Sequence, residues 1–244
     1  YEIGVRLVGS EMCIRDRTCG ARLLYNYMWV GGVSHDLPVG FVETVYGFLD
    51  YFEPKLKEYN EILTYNKIFI ERTADVGVIT PEVAISYGVT GPNLRGSGIR
   101  WDLRKDESYG IYDKFDFDIP IGTGAMGSVG DCWDRYYVRM LEMRESLSII
   151  NQAMKQMEPG EVQAKMRRIV RPPEGECFVR TESPRGDLGV FLVSDGSQNP
   201  YRVKVRAPSF ANLQAIKHML EGVYVADAVV ILGSLDIVLG EVDR

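Results

Sequence analysis

The chain has 244 residues, and its 34 acidic and 28 basic side chains give a formal net charge of −6. With 45% hydrophobic and 25% charged residues, it has the composition of a globular protein, which excludes a mainly disordered chain. The acidic balance argues against a nucleic-acid-binding protein, because phosphates are met by positive charge. No apolar run reaches the roughly 20 residues of a membrane helix, so no membrane span is predicted.

The sequence carries no motif of a metal site or of a nucleophilic enzyme. Two histidines, His35 and His218, stand far apart in the chain. Zinc and iron–sulfur sites need closely spaced thiolates or imidazoles, and the four cysteines form no CxxC pair: Cys13, Cys19, Cys132 and Cys177. We therefore expect no metal to be bound by this chain.

The first 17 residues differ in character from the rest. The run EMCIRDR at 11–17 resembles the translation of a transposon adapter used in DNA sequencing libraries. We interpret residues 1–17 as a non-native leader, to be left out of fold reasoning. Residues 18–244 are then expected to be the biological part, and to be a fragment that lacks its own N-terminal region.

Helical signals fill the first third of the chain. Asp36 and Pro38 predict a helix start, because Asp caps helices and Pro suits a first turn. Apolar residues then recur at helical spacing from Phe41 towards Leu63, with Pro54 as a kink or restart. Short helices are predicted at 68–74 and after Thr80, followed by an ordered but irregular stretch over 90–125.

The clearest predicted element is a long helix over 130–157. Two positions of a heptad repeat are apolar or aromatic throughout this segment, which indicates lengthwise packing in a helix bundle. A second stripe carries charges that we expect to neutralise one another: Asp131, Arg135, Arg139 and Glu142.

The last third combines strands with apolar helices. Strands are predicted at 177–182, 189–193 and 201–205, because β-formers alternate there between the turn sequences SPRGD and SDGSQNP. A helix from Pro208 and an apolar helix over 223–235 follow. The predicted fold class is therefore mainly α with a small antiparallel β-sheet (α+β), built on a long-helix bundle.

Six segments resemble the D subunit of bacterial NADH–quinone oxidoreductase, whose mitochondrial counterpart belongs to respiratory complex I. They occur in one order without large gaps, from about Cys19 to Arg244, which makes the resemblance specific. The segments are GGVSHDLP, GPNLRGSGIRWDLRK, GDCWDRYYVRMLEMRES, ESPRGDLGVFLVSDG, VKVRAPSFANLQ and GSLDIVLGEVDR. The resemblance implies the C-terminal part of the family's chain, with Arg244 at its natural end.

This family is in turn similar to the large subunit of nickel–iron hydrogenases, so the long-helix bundle is expected to resemble that fold. The hydrogenase ends in a metal-binding Asp-Pro-Cys-x-x-Cys-x-x-His. Here Asp236 keeps its place, while Val238 and Glu241 stand at the two cysteine positions and Arg244 at the histidine. Valine offers no lone pair to a soft metal, so the resemblance predicts a cavity without nickel.

The resemblance implies electron transfer to a quinone such as ubiquinone, within an NAD-linked respiratory translocase (EC 7.1.1.-) that moves protons. Electrons would come from a terminal [4Fe–4S] cluster in a neighbouring subunit. Expected partners are the protein that holds that cluster, a protein like the C subunit of the same complex, and a membrane protein at the quinone site. The chain itself would be peripheral on the cytoplasmic side of the inner membrane, with membrane contact through its partners and none with nucleic acid.

The expected site residues follow from the terminal motif. We expect Asp236, Val238 and Leu239 to line the quinone cavity, although core packing is an equal alternative for the last two. Arg95, Glu182 and Arg185 are expected to be structural or to support a site. No catalytic residue is predicted, because the family's His and Tyr proton donors belong to an N-terminal region that this sequence does not contain.

Two other interpretations stay open. In the first, the chain is a non-catalytic scaffold fragment that packs against its iron–sulfur and membrane partner proteins. In the second, it belongs to a related ferredoxin-linked or hydrogenase-like membrane complex. On every interpretation, the fragment alone is not expected to be active.

Overall fold

The structure is a computed structural model that describes residues 14–21, 25–166 and 169–243. Most of the predicted leader, residues 1–13, lies outside the described residues, and residues 14–19 are helical. The described part is mainly helical with two small antiparallel sheets. The predicted α+β class is confirmed.

Most of the helices are short, and the longest of those described has 25 residues, Cys132–Gln156. Their bounds in chain order are α1 Phe41–Tyr59, α2 Lys67–Thr73, α3 Pro81–Ser86, α4 Pro92–Gly96, α5 Leu103–Asp106, α6 Cys132–Gln156, α7 Pro208–Gln214, α8 Ile216–Met219, α9 Asp227–Leu235 and α10 Leu239–Asp243. A π-helical segment, Asn60–Thr64, extends α1, and a 3-10 turn covers Tyr112–Lys114.

The five strands form a short hairpin and a three-stranded sheet. Strands β1 Met28–Trp29 and β2 Gly32–Val33 make the hairpin, which the sequence did not predict. The sheet has the order β3 Gly175–Ser183, β4 Gly186–Ser194 and β5 Arg202–Arg206. Val190 pairs with Val179 on one side and Val205 on the other. The three predicted strands are confirmed.

Two predicted helix starts are wrong, and the restart considered at Pro54 does not occur. Helix α1 begins at Phe41 rather than near Asp36, because Gly40 has φ 81° and Asp36 Oδ1 accepts only from the adjacent Leu37 N–H. Pro54 lies inside α1 without ending it. The apolar helix α9 begins at Asp227, after an irregular segment, instead of near residue 223.

Long helix α6 organises the interior. Asp131 caps it by accepting from the Asp134 N–H at 2.8 Å, as expected for a short acidic side chain at this place. Among the apolar heptad positions of this helix, Trp133 and Met140 are buried, whereas Met157, which follows the last helical residue, is exposed. The main core lies beside the start of α6 and joins α3, α4, α8 and α9; its buried members are Ile79, Ala84, Val89, Leu94, Cys132, Ala215, Met219, Ile231 and Leu235.

The charges of the predicted stripe along α6 influence one another, but no ion pair joins two of its four residues, all of which the structure describes. Arg135 donates to Ser234 Oγ and to the carbonyl oxygens of Gly130 and Gly77, instead of pairing with Asp131. Glu142 pairs with Arg95 of helix α4. Arg135 and Glu142 therefore contact residues of other elements rather than their neighbours on the same helix.

Candidate functional site

The candidate site is centred on Asp236, the residue that follows helix α9. Its backbone is left-handed, with φ 52° and ψ 51°. This conformation costs a non-glycine residue about 1–2 kcal/mol. Such strain persists where surrounding contacts hold it in place.

Three side chains from distant elements hold this turn by binding its carbonyl oxygens. Arg139 of α6 donates to the Ser234 oxygen at 2.9 Å and, more weakly, to the Leu235 oxygen at 3.4 Å. Asn93 Nδ2 donates to the Leu235 oxygen at 3.0 Å, and Arg185 Nε to the Asp236 oxygen at 3.2 Å. The last carbonyl groups of α9 therefore have partners, as a buried helix end requires.

The Asp236 carboxylate lies between two guanidinium groups. Its Oδ1 atom is 3.4 Å from an Arg185 nitrogen, and its Oδ2 atom is 4.0 Å from Arg139 Nε. The Asp236 side chain is 44% exposed. Burial lowers the pKa of Arg139 to about 10, against the opposing effect of the Asp236 charge. Even so, Arg139 remains a cation at neutral pH.

A cavity of about 390 Å³ opens beside this turn, between α2, α6 and α9. Its wall is largely apolar, with Asp236 and Arg139 as its charged members. The lining residues are Phe69, Thr73, Cys132, Tyr136, Arg139, Val230, Gly233, Ser234 and Asp236. Phe69 and Tyr136 meet edge to face, with ring centroids 4.8 Å apart. An apolar wall with few convergent polar groups is the usual character of a small-molecule site.

Of the three predicted cavity residues, Asp236 alone is part of this lining. Val238 and Leu239 continue the chain past it and are 40% and 67% exposed. The Val238 N–H donates to Ser209 Oγ at 3.3 Å, and Ser209 in turn contacts Glu241. Glu241 is thus hydrogen-bonded to a buried serine.

Arg95 and Glu182 lie in a separate buried cluster. Arg95 donates to Glu142 Oε1 at 2.6 Å and to Glu182 Oε1 at 2.9 Å, and Asp102 lies 3.5 Å away. Burial acts to lower the pKa of Arg95, but these carboxylates raise it overall. The cluster ties α4, α6 and β3 together. Arg185, in the β3–β4 turn, belongs instead to the Asp236 site.

Arg139 and Asn93 are site residues that sequence reasoning missed. Local spacing places Arg139 in the charged stripe of α6, and Asn93 lies within the GPNLRG segment without a feature that separates it from a loop residue. In the structure, Arg139 Nη2 donates to Asn93 Oδ1 at 3.0 Å. Both side-chain partners of Asn93 are distant in sequence, so no local signal marks this contact.

Neither a metal cluster nor a membrane helix occurs among the described residues. No group of three or more His, Cys, Asp or Glu side chains there is arranged to hold a metal ion. None of the described helices combines the length and apolar character needed to cross a bilayer.

Comparisons with known proteins agree with one another. The sequence model of the family "Respiratory-chain NADH dehydrogenase, 49 Kd subunit" matches residues 9–174 and 164–244. The D subunit of NADH-quinone oxidoreductase from Bacillus cereus (strain ATCC 14579) is 52% identical over 236 residues, which cover 96% of this chain and 63% of that protein. The D subunit numbered 1 of the same enzyme from Cytophaga hutchinsonii is 50% identical over 233 residues, covering 92% of this chain and 59% of that protein.

The chain therefore spans about three-fifths of the length of these curated relatives. The family match covers well over half of the sequence, in the same order of segments. The chain belongs to the 49 kDa subunit family of the respiratory-chain NADH dehydrogenase.

Proposed function

We propose that this chain is part of a proton-translocating NADH–quinone oxidoreductase and forms one wall of its quinone-reduction chamber. Asp236 lies in that wall, and Val238 and Leu239 follow it along the chain. The terminal [4Fe–4S] cluster lies in a neighbouring subunit, and further partners are a protein like the C subunit of the complex and a membrane protein at the quinone site. The chain is peripheral on the cytoplasmic side of the inner membrane.

The cavity beside Asp236 is the observation that carries this proposal. Its volume of about 390 Å³ accommodates a substituted aromatic ring, and its aromatic and aliphatic wall suits a quinone. Of the residues that the terminal motif of the family names, Asp236 lies in this wall. The sequence resemblance and the geometry thus support the same place from separate observations.

The chemistry requires two electrons and two protons for each quinone reduced to a quinol. The cluster in the neighbouring subunit supplies the electrons when it is present. In this chain, Phe69, Tyr136 and Val230 exclude water from the ring. Asp236 places a carboxylate at the wall, where it faces the guanidinium groups of Arg139 and Arg185.

A cavity-filling substitution tests the proposal. An added Cβ at Gly233 meets nothing within 4 Å, so Gly233→Leu can begin its side chain there and adds volume at the cavity wall. Gly47→Leu is the matched control, since Gly47 lies in helix α1 with the same open surroundings and away from the cavity. Both are measured in membranes that carry the assembled complex.

We expect Gly233→Leu to raise the KM for quinone or to lower the quinone-dependent rate by about ten-fold, and Gly47→Leu to leave both unchanged. NADH oxidation by a soluble artificial electron acceptor reports that each complex has assembled. If Gly233→Leu and Asp236→Asn both leave quinone kinetics unchanged in fully assembled complex, the chamber proposal fails. Loss of assembly with normal quinone kinetics per complex would instead favour the scaffold interpretation.

A further inference from the structure

The contacts of Arg139 divide into two sets. Its two terminal nitrogens bind the carbonyl oxygens of Ser234 and Leu235 and the side chain of Asn93. A cation at this place also favours the negative end of the α9 dipole. This set fixes the end of α9 and therefore the place where Asp236 begins.

The remaining nitrogen has a different role. Arg139 Nε is shielded from solvent and makes no hydrogen bond to any described residue. Its nearest carboxylate oxygen is Asp236 Oδ2 at 4.0 Å, beyond the roughly 2.7–2.9 Å of a charge-assisted hydrogen bond. The Arg185 contact at 3.4 Å is also long. The carboxylate is thus held by charge while its lone pairs stay available to a further donor.

We propose that Arg139 is the positioning residue of Asp236 in the quinone chamber. It fixes the left-handed turn through the carbonyl oxygens of α9, and its charge holds the carboxylate at the cavity wall. This inference rests on the proposed function, since it assigns a role within the same chamber.

A purely structural role for Arg139 makes different predictions. A simple cap would change stability and assembly when removed, and would leave the kinetics per assembled complex alone. A positioning role links Arg139 to Asp236, so the two substitutions must depend on each other. It also makes the charge of residue 139 matter separately from its hydrogen bonds, because lysine keeps the charge but loses the planar fork.

The experiment is a double-mutant cycle in membranes that carry the assembled complex, with Arg139→Gln, Asp236→Asn and the double variant. We expect each single variant to raise the KM for quinone about five-fold, with kcat changed less, and the double variant to be no worse than the more affected single one. The inference would be overturned if the rise in KM in the double variant equalled the product of the rises in the two single variants. A normal KM in Arg139→Gln beside a raised KM in Asp236→Asn would also overturn it. If Asp236→Asn itself is normal, the chamber proposal fails instead.

Rescue by the conservative variant gives a readout that a structural cap would not move. The charges facing Asp236 are Arg139 on α6 and Arg185 in the β3–β4 turn. Arg139→Lys keeps the charge that faces the carboxylate, so its KM for quinone should lie closer to the unsubstituted value than that of Arg139→Gln. Arg144→Gln, at an exposed arginine on the same helix, should leave the KM unchanged. Equal KM values in Arg139→Lys and Arg139→Gln would contradict the inference.

Discussion

The Nε atom of Arg95 lies 2.6 Å from Oε1 of Glu142, which fastens helix α4 to the long helix α6 inside the protein. The same guanidinium group meets Glu182 and Asp102, so one buried cation serves three carboxylates. Arg104 supplies the second cation of the cluster through Asp102. The stability of this region depends on the balance of these charges.

Arg95→Met should destabilise the chain by about 3–5 kcal/mol, because it leaves buried carboxylates without their cation. Urea unfolding followed by the fluorescence of the buried Trp133 measures the change. Arg100→Met is the control: Arg100 is exposed and pairs with Asp106 only at 3.6 Å, so its effect should stay within about 0.5 kcal/mol. Equal effects of the two substitutions would contradict the prediction.

The free energy of unfolding should depend on pH through the protonation of Glu182. Burial raises its pKa, and the charge of Arg95 offsets this only in part. The folded state therefore holds a proton at pH values where the unfolded chain, with a pKa of about 4.3, has released it. Lowering the pH towards that value should accordingly favour folding.

We expect the unfolding free energy of the unsubstituted chain to rise, relative to Glu182→Gln, as the pH falls from 7 towards the unfolded pKa of about 4.3. Asp102 in the same cluster acts in the opposite direction. Burial acts to raise its pKa, but Arg104 and Arg95 lower it overall, so its contribution is lost only in more acidic solution. Parallel pH curves for the two proteins would refute the assignment of a raised pKa to Glu182.

The loop backbone at Gly122 packs too closely against Gly96 to admit a side chain. A Cβ added there would collide with the carbonyl oxygen of Gly96, while the Gly122 N–H donates to the Arg95 oxygen at 2.8 Å. Gly122→Ala should therefore cost about 1–3 kcal/mol through overpacking. Gly160→Ala, where an added Cβ meets nothing within 4 Å, should be nearly neutral in the same unfolding assay. A neutral Gly122→Ala would show that this loop can move away.

Local sequence signals predicted much of the fold. Thr80 caps α3 by accepting from the Val83 N–H, with Pro81 at the first helical position, as the sequence indicated. The hairpin between β3 and β4 also follows its turn sequence, and pairs Ser183 with Gly186. These features depend on neighbours within a few residues, where side-chain capping and turn chemistry decide the outcome.

Long-range partners were beyond such signals. Arg139 reaches the end of α9, about 95 residues away in sequence, and Arg95 reaches Glu182. A helical stripe with two arginines between two acids favoured local pairing, but burial makes distant carboxylates and carbonyl groups the stronger partners. The site at Asp236 could be named from its terminal motif, whereas Arg139 and Asn93, which help to hold it, could only be found from the fold.

Arg135 is fully buried, and its hydrogen-bond donors meet neutral acceptors among the described residues. It donates to the carbonyl oxygens of Gly77 and Gly130, to Ser234 Oγ and to Cys132 Sγ. Lysine has three donors on one nitrogen and cannot span these four acceptors. Arg135→Lys keeps the charge and should still cost about 2–4 kcal/mol, since buried acceptors lose their donors.

The matched substitution Arg144→Lys, on an exposed face of the same helix, should change the unfolding free energy by less than about 0.5 kcal/mol. Charge is conserved at both positions, so the difference between the two variants isolates the hydrogen-bond geometry of the guanidinium group. An Arg135→Lys chain as stable as Arg144→Lys would mean that charge alone, and not the fork of donors, is what this interior position requires.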